Sequence, residues 1–404
     1  MAGRKRMSAT FKLGQNMHLL SCTALLMITL ITLAYNFNPL PASTVRHQPL
    51  PVQVHHKRSE AQPRQEPKPL QIKTQVRKPA RKPNSENILC IFAGRWDFLR
   101  INFAYIYRSL RKNGGVLDKV YYYMMMYDNQ TLSKLTELTQ TANNILGKRV
   151  FQLRFRNRAK DTSARPVPKG TFEGFLYEVF NDVAKHPERK YFKMDDDIVY
   201  IHPGTFRQLI EQQNTSECFI HFANIGGANW RCSYIHQEMG IYDNEAINPK
   251  KLKFQFSRDG LPKCGWKSAE CAAVAMEAFF YHYQNKSLEK LLFDGRYLTP
   301  ERARFSINFL LMDSNLIDIK AMMESGPILT SDEHWLTVVY SRKVKKPNCV
   351  VGRAFVVHFS YFTTLGEINK HDFLPRFETI AYDLVKELPE ALQTSLAFNQ
   401  TLGS

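Results

Sequence analysis

The sequence predicts an α/β fold built on a mostly parallel central sheet with helices on both faces. Three observations carry this. Short apolar runs alternate with segments of helical period between residues 87 and 194, the pattern of strands joined by crossover helices. The first run is continuously apolar, as a strand buried on both faces should be. The fourth run, Tyr191–Met194, ends in three consecutive carboxylates, Asp195, Asp196 and Asp197, and open α/β sheets hold their ligands at such strand ends.

The elements follow in order. Ile88–Ala93 is the first strand, entered at Asn87 and stopped by Gly94. Phe98 to Lys112 reads as a helix: Phe98, Ile101, Tyr105 and Leu110 recur near the helical period, and Asn113-Gly114-Gly115 is its stop signal. Val120–Met126 and Val150–Phe155 are the second and third strands, with a helix over Leu132–Ala142 between them. Thr171–Lys185 is a further helix, leading into Tyr191–Met194. Beyond residue 205 the pattern weakens. Phe219–Ile225 and Ala354–Phe359 read as strands, Ser268–Asn285 and Phe377–Leu388 as helices, and Ala228–Cys264 as irregular chain.

The chain has 404 residues, enough for a sizeable core, and a net charge of +18. Such a surplus suggests nucleic acid or a membrane surface, but residues 1–87 hold 14 Lys and Arg against 3 Asp and Glu. The remainder is mildly basic and carries no basic-aromatic stripe, so no nucleic-acid partner is expected. Met17 to Tyr35 is uncharged and follows Arg4, Lys5, Arg6 and Lys12. Its length suits one membrane span, and the basic flank keeps the N-terminus cytosolic. The run exceeds the apolar region of a cleaved signal peptide, and no clean cleavage site follows it. The expected organisation is a cytosolic tail (1–16), a transmembrane signal-anchor (17–36), a basic Pro-rich stem too polar to order (37–86), and a lumenal folded domain (87–404). Lumenal exposure gives meaning to sequons at Asn129, Asn214, Asn285 and Asn399. It also permits disulfides among the six cysteines after the span, with Cys218–Cys232 and Cys264–Cys271 as the expected short loops and Cys90 a buried thiol.

Three adjacent aspartates repel one another, and leaving water makes this worse. A fold keeps them beside an apolar strand only if something cationic sits there. A divalent ion with oxygen ligands, itself holding phosphate, meets that need. The run Lys193-Met194-Asp195-Asp196-Asp197-Ile198-Val199 resembles the DxD element of GT-A glycosyltransferases, in wording closest to β-1,3-type sugar transferases. The resemblance implies a Rossmann-like GT-A domain in which Asp195 and Asp197 hold Mn2+ (or Mg2+) and Asp195 and Asp196 meet the diphosphate and ribose of a nucleotide-sugar donor. Ser331-Asp332-Glu333-His334-Trp335 resembles the acidic element that begins a helix near the acceptor. It implies Asp332, or Glu333 after it, as the base that takes the acceptor's proton, although the same residues also make a good helix start. His358, in the apolar run ending at Phe359, resembles the C-terminal histidine that completes metal coordination; His371 is the second choice. Arg95 and Asp128 follow the first and second strands, where such enzymes hold base and ribose. Gly226-Gly227 would let backbone approach donor or acceptor, or form a turn, and Trp230, Trp266 and Trp335 are either sugar platforms or core.

The resemblance thus implies a metal-dependent transferase of Golgi or ER membrane, type II, moving a sugar to a glycan or glycoprotein hydroxyl with inversion. The glycine loop expected before the acidic element is replaced by Gly326-Pro327, a departure on the acceptor side. Two other readings compete. Asp195, Asp197 and Val199 fit the D-x-D-x-[TV] pattern of haloacid-dehalogenase-like phosphatases, but that pattern usually opens a fold's first strand and here three strand-helix units precede it. A membrane-tethered binding protein with a decayed transferase fold would not need the intact triplet and acidic helix start.

Overall fold

In a computed structural model of the chain, the described residues are 85–124, 127–155, 179–180, 182–254, 264–299, 303–318, 332–361 and 363–398. The expected tail, span and nearly all of the stem lie outside them, and among the described residues no helix is long and apolar enough to cross a membrane.

The described residues form one nine-stranded sheet. Its strands are β1 (Asn87–Ala93), β2 (Lys119–Met124), β3 (Phe151–Arg154), β4 (Lys190–Asp195), β5 (Ile198–Ile201), β6 (Ile220–Gly227), β7 (Arg296–Leu298), β8 (Phe309–Met312) and β9 (Asn348–His358). Their spatial order is β3-β2-β1-β4-β8-β6-β9-β5, with β7 also on β9. β1 pairs in parallel with both β2 and β4, β2 with β3, and β6 with β9, while β8, β5 and β7 run against their neighbours. Six of the nine strands therefore share one direction, and the mixed α/β class with a mostly parallel sheet is as expected.

The helices are α1 (Trp96–Arg108), α2 (Asn129–Leu146), α3 (Thr205–Thr215), α4 (Trp230–Glu238), α5 (Ala269–Gln284), the 332–343 run (α6, π-wound over Trp335–Tyr340), α7 (Leu365–Ile368), α8 (Phe373–Val385) and α9 (Glu390–Leu396). Their ends follow local chemistry. Asp128 caps α2 by accepting from the Thr131 N–H, Ser268 caps α5 through Cys271, and Gly147 closes α2 in the left-handed conformation. Of the helix expected over 171–185, only 179–180 and 182–185 are described, and these are helical.

The structure corrects the sequence reading in three places. Within the stretch expected to be irregular, Trp230–Glu238 is a helix, capped by the Asn229 side chain. Its buried residues include Arg231, Ser233 and His236, so no apolar period announced it. β9 begins at Asn348, six residues before the strand expected at Ala354. Cys218 pairs with Cys349, with Cα atoms 6.0 Å apart, while Cys232 is a buried free thiol. The reason is topological: β6 carries the chain away from Cys218 before Cys232 is reached, whereas β9 lies alongside with Cys349 opposite His221. Cys264–Cys271 and the buried Cys90 are as expected.

β9 completes the sheet. Its first part pairs with β6 and β7, and its last residues pair with β6 and β5, with a register shift between Val351 and Phe355. Gly352 lies in that shift, where a Cβ would fall 2.0 Å from the Phe293 carbonyl oxygen. The pair Gly226-Gly227 serves a different contact, between β6 and the end of β9. A Cβ on Gly226 would meet the Phe355 ring at 2.8 Å, and one on Gly227, at φ +71°, would sit 2.4 Å from the His358 carbonyl oxygen. These glycines let β6 lie close against the end of β9, and so set where His358 stands.

The two disulfides close loops of very different length, with sequence separations of 131 and 7. Chain-entropy reasoning assigns about 5 kcal/mol to the longer and about 2.4 kcal/mol to the shorter. Replacing Cys218 and Cys349 together by Ala is therefore expected to lower the urea midpoint by roughly twice the shift caused by replacing Cys264 and Cys271, measured by circular dichroism.

Candidate metal centre

The carboxylate triplet lies where β4 ends and turns at once into β5. Period-two alternation puts Lys193 and Asp195 on one face of β4. Lys193, buried, donates to Asp195 Oδ1 and to the Ile307 carbonyl (2.6 Å), with its ammonium 5.0 Å from the centre of the Phe92 ring. The first residues of antiparallel β8 arrive at the same place. Asn308, just before β8, accepts the Asp195 N–H on its carbonyl (2.8 Å) and donates its side-chain amide to Asp195 Oδ2 (2.9 Å).

Asp196 faces the other way and closes the turn onto the first strand. Its Oδ2 accepts from the Gly94 and Arg95 N–H groups at 3.0 and 2.9 Å, and its Oδ1 from the Arg95 guanidinium. Its own carbonyl accepts from Asn102 of α1 (2.8 Å). Burial pushes this carboxyl up to about 6 against the opposing pull of Arg95, which contacts it directly.

Asp197 points toward the end of β9. Its Oδ2 lies 3.0 Å from the Arg95 guanidinium and its Oδ1 3.2 Å from His358 Nε2. Burial opposes ionisation here, yet His358 and Arg95 together hold the carboxyl down at about 2. Asp197 Oδ1 is buried and accepts no aligned hydrogen bond among the described residues. His358 is buried as well. Its Nδ1 lies 2.7 Å from the Ala228 carbonyl, which can only accept, so Nδ1 carries a hydrogen; Nε2 faces the carboxylates, as a donor to Asp197 when the ring is protonated and with a lone pair free for a cation when it is neutral. Against burial, Asp197 raises the His358 pKa above the ordinary histidine value.

Asp195, Asp197 and His358 thus offer ligand atoms that all lie within 4.8 Å of one another. Two carboxylates and an imidazole are a donor set for a divalent cation of the Mg2+–Mn2+–Zn2+ range. The buried, unsatisfied Asp197 oxygen is what a cation would complete, so the residues fit a metal ion.

The other expected site residues are distributed as follows. Arg95 joins the cluster, bracing Asp196 and Asp197, and stacks 4.7 Å over Phe98. Asp128 is at the carboxyl end of β2, with one oxygen engaged as the α2 cap. The Asp332 side chain lies outside the described residues, although its backbone starts α6. Glu333 is ion-paired with Arg304 at 2.5 Å, and its charge acts on Arg231 and Tyr361. The Tyr361 ring is 5.6 Å from His358. His371 is exposed and stacked on Phe373. Trp335 is buried against Tyr340, whereas Trp230 and Trp266 are half-buried, Trp230 under the Arg231 guanidinium at 3.7 Å.

Lys193, Asn308 and Asn229 were not anticipated. A lone lysine two residues before an aspartate in an apolar strand was a legible signal for Lys193. Asn308 opens the run Phe309–Met312 much as Asp195 ends Tyr191–Met194, but its relevance depends on β8 pairing with β4. No known protein-family model matches the chain, and no curated protein is significantly similar to it.

Two expectations follow from this geometry. Asp196→Ala leaves the Gly94 and Arg95 N–H groups without their acceptor, and should cost about 3 kcal/mol or more of fold stability in urea unfolding. Asp195→Ala, at a partly exposed position, leaves the Lys193 ammonium the Ile307 carbonyl and should cost less than Asp196→Ala.

The second concerns pH. A histidine whose folded pKa is raised stabilises the fold fully below its unfolded value, and this contribution is lost as pH rises through the folded one. The metal-free Tm should therefore fall by a few degrees, about 2–4 °C per kcal/mol, as pH rises through and above the ordinary histidine range. His358→Gln should flatten that slope in differential scanning calorimetry.

Proposed function

We propose that the protein is a metal-dependent glycosyltransferase of GT-A type, moving a sugar from a nucleotide-sugar donor to a hydroxyl of a glycan or glycoprotein. The observation that carries this reading is the meeting of Asp195, Asp197 and His358 at the carboxyl edge of the parallel strands. Strand ends of this kind are where open α/β sheets take nucleotides. Arg95 at the end of β1 and Asp128 at the end of β2 border the same edge. So do Tyr127 and Phe155, an exposed aromatic pair with ring centres 6.2 Å apart, following β2 and β3. Exposed rings at that place offer a face for a nucleobase.

Mn2+ or Mg2+ held by Asp195, Asp197 and His358 would neutralise the charge that develops on a departing nucleoside diphosphate. The remaining roles belong to the chain. Lys193 and Asn308 hold Asp195, Arg95 holds Asp196 and Asp197, and Ala228 holds the His358 ring. Asp332, with Glu333 second, is the proposed base for the acceptor hydroxyl in an inverting displacement. Arg304 donates to Glu333 Oε1 and orients it. The half-buried Trp230 and Trp266 are candidate sugar platforms; their backbones hydrogen-bond Tyr361 (3.0 Å) and Thr363 (2.7 Å), just beyond the end of β9.

In this reading residues 17–36 anchor the chain as a type II protein of Golgi or ER membrane, with the described domain lumenal. The two disulfides suit an oxidising compartment. The sequon asparagines Asn129, Asn214 and Asn285 are exposed, as oligosaccharide acceptors must be.

The test is release of nucleoside diphosphate by the purified full-length protein across a panel of UDP- and GDP-sugars, with Mn2+ or EDTA. Metal-dependent release from one donor is expected, falling at least about a hundredfold in Asp197→Ala and in His358→Ala. Equal hydrolysis with EDTA, or an Asp197→Ala variant as active as wild type, would overturn the reading.

A further inference from the structure

Asn308 does more than brace Asp195. Its Nδ2 lies 2.9 Å from Asp195 Oδ2 and 3.2 Å from His358 Nε2, so it bridges two of the three ligand groups. The direction of this amide is set by a relay. The Cys232 N–H can only donate, and it reaches Asn229 Oδ1 at 3.1 Å. Asn229 must therefore present its NH2 to Asn308, whose Oδ1 accepts it at 3.1 Å. Asn308 is left with its NH2 facing Asp195 and His358. On the far side of the imidazole, the Ala228 carbonyl fixes a hydrogen on Nδ1, so in the neutral ring, the form that can ligate a metal, the lone pair is on Nε2.

We propose that the Asn308 amide is a placeholder for the cation: with His358 neutral, it occupies the Nε2 lone pair and one Asp195 oxygen in the metal-free protein and must withdraw when a divalent ion binds. The inference rests on the metal-centre reading above. One lone pair cannot serve both an N–H and a metal ion. A cation within bonding distance of Asp195 Oδ2 and His358 Nε2 would meet the amide hydrogens that lie between them. Rotation of the amide to offer Oδ1 instead is opposed by Asn229, whose own orientation is pinned to the first turn of α4. The relay therefore does two things. It keeps the ligand atoms aligned and hydrogen-bonded without metal, and it holds metal affinity below what the three ligands alone would give. Weak, exchangeable binding suits an ion that arrives with a diphosphate and leaves with it.

The experiment titrates Mn2+ alone, without nucleotide, into full-length wild type, Asn308→Ala and Asn308→Asp. Bound ion is read from the loss of the free Mn2+ paramagnetic resonance signal, and Tm is recorded with and without Mn2+. Asn308→Asp replaces the donor by a carboxylate at the same place. It is expected to lower the metal-free Tm, to bind Mn2+ at least about tenfold more tightly, and to gain a larger Tm rise from the ion. Should it fold only in the presence of Mn2+, that dependence is the same result. Asn308→Ala removes the competitor and is expected to bind Mn2+ more tightly than wild type.

If wild type binds Mn2+ and Asn308→Ala binds about ten- to a hundredfold more weakly, Asn308 is an ordinary support for the ligands, and the placeholder falls while the metal centre stands. Unchanged affinity and Tm in both variants overturns it in the same way. If none of the three proteins binds Mn2+, the metal centre and the placeholder fall together. A silent wild type beside a binding Asn308→Ala upholds both, because that variant removes the competitor without adding a ligand.

Discussion

Everything at the carboxyl edge of this sheet answers to one electrostatic constraint: three successive carboxylates cannot share a strand end unless each is given its own cation or donors. The fold meets it by turning the chain sharply, so that the three side chains leave in three directions. Asp195 goes to Lys193 and β8, Asp196 to Arg95 and the β1–α1 loop, and Asp197 to His358 and β9. Two fixed cations stand against three acidic groups. The deficit is concentrated where Asp195, Asp197 and His358 face one another, and a divalent ion would be welcome there. Asp196 is the structural member of the triplet. With both oxygens taken up by Gly94 and Arg95, it joins the first strand to the β4–β5 turn.

Much of this could be read from the sequence because it is local. Continuous apolar runs, a helix-closing glycine and a strand emptying into acidic residues are short-range signals, and β1 to β4 emerge nearly where they were expected. Asp197 and His358 were paired through a family resemblance, and the structure brings them within 3.2 Å. What stayed hidden is what depends on pairing between distant segments. Lys193 could have been noticed from its alternation with Asp195. Asn308 could not, because its importance exists only once β8 lies antiparallel to β4. Cys218–Cys349 was missed for the same reason: short loops are the natural guess until β6 and β9 are known to be neighbours.

The helix at Trp230–Glu238 shows a different limit. Its buried face carries Arg231, Ser233 and His236, which are satisfied by specific partners such as the Arg304 carbonyl and Asn224. Hydrophobic periodicity reports helices that bury hydrocarbon and is silent about helices that bury polar networks. Asn229 caps this helix and also orients Asn308, so the element least visible in the sequence is the one that steers the amide beside the candidate metal ligands.

The central position of β9 has a consequence for how the molecule comes into being. β9 lies between β6 and β5 and also carries β7, yet it follows all three of these partners in the chain. Until it inserts, β5 has no partner, the Asp197 carboxylate lacks its histidine, and Cys218 waits as a thiol. Pairings between such distant segments form slowly and leave strand edges exposed meanwhile. Until β9 is made, the nascent chain is therefore an open half-sheet with an acidic corner that still lacks its histidine, and the arrival of a single strand closes it.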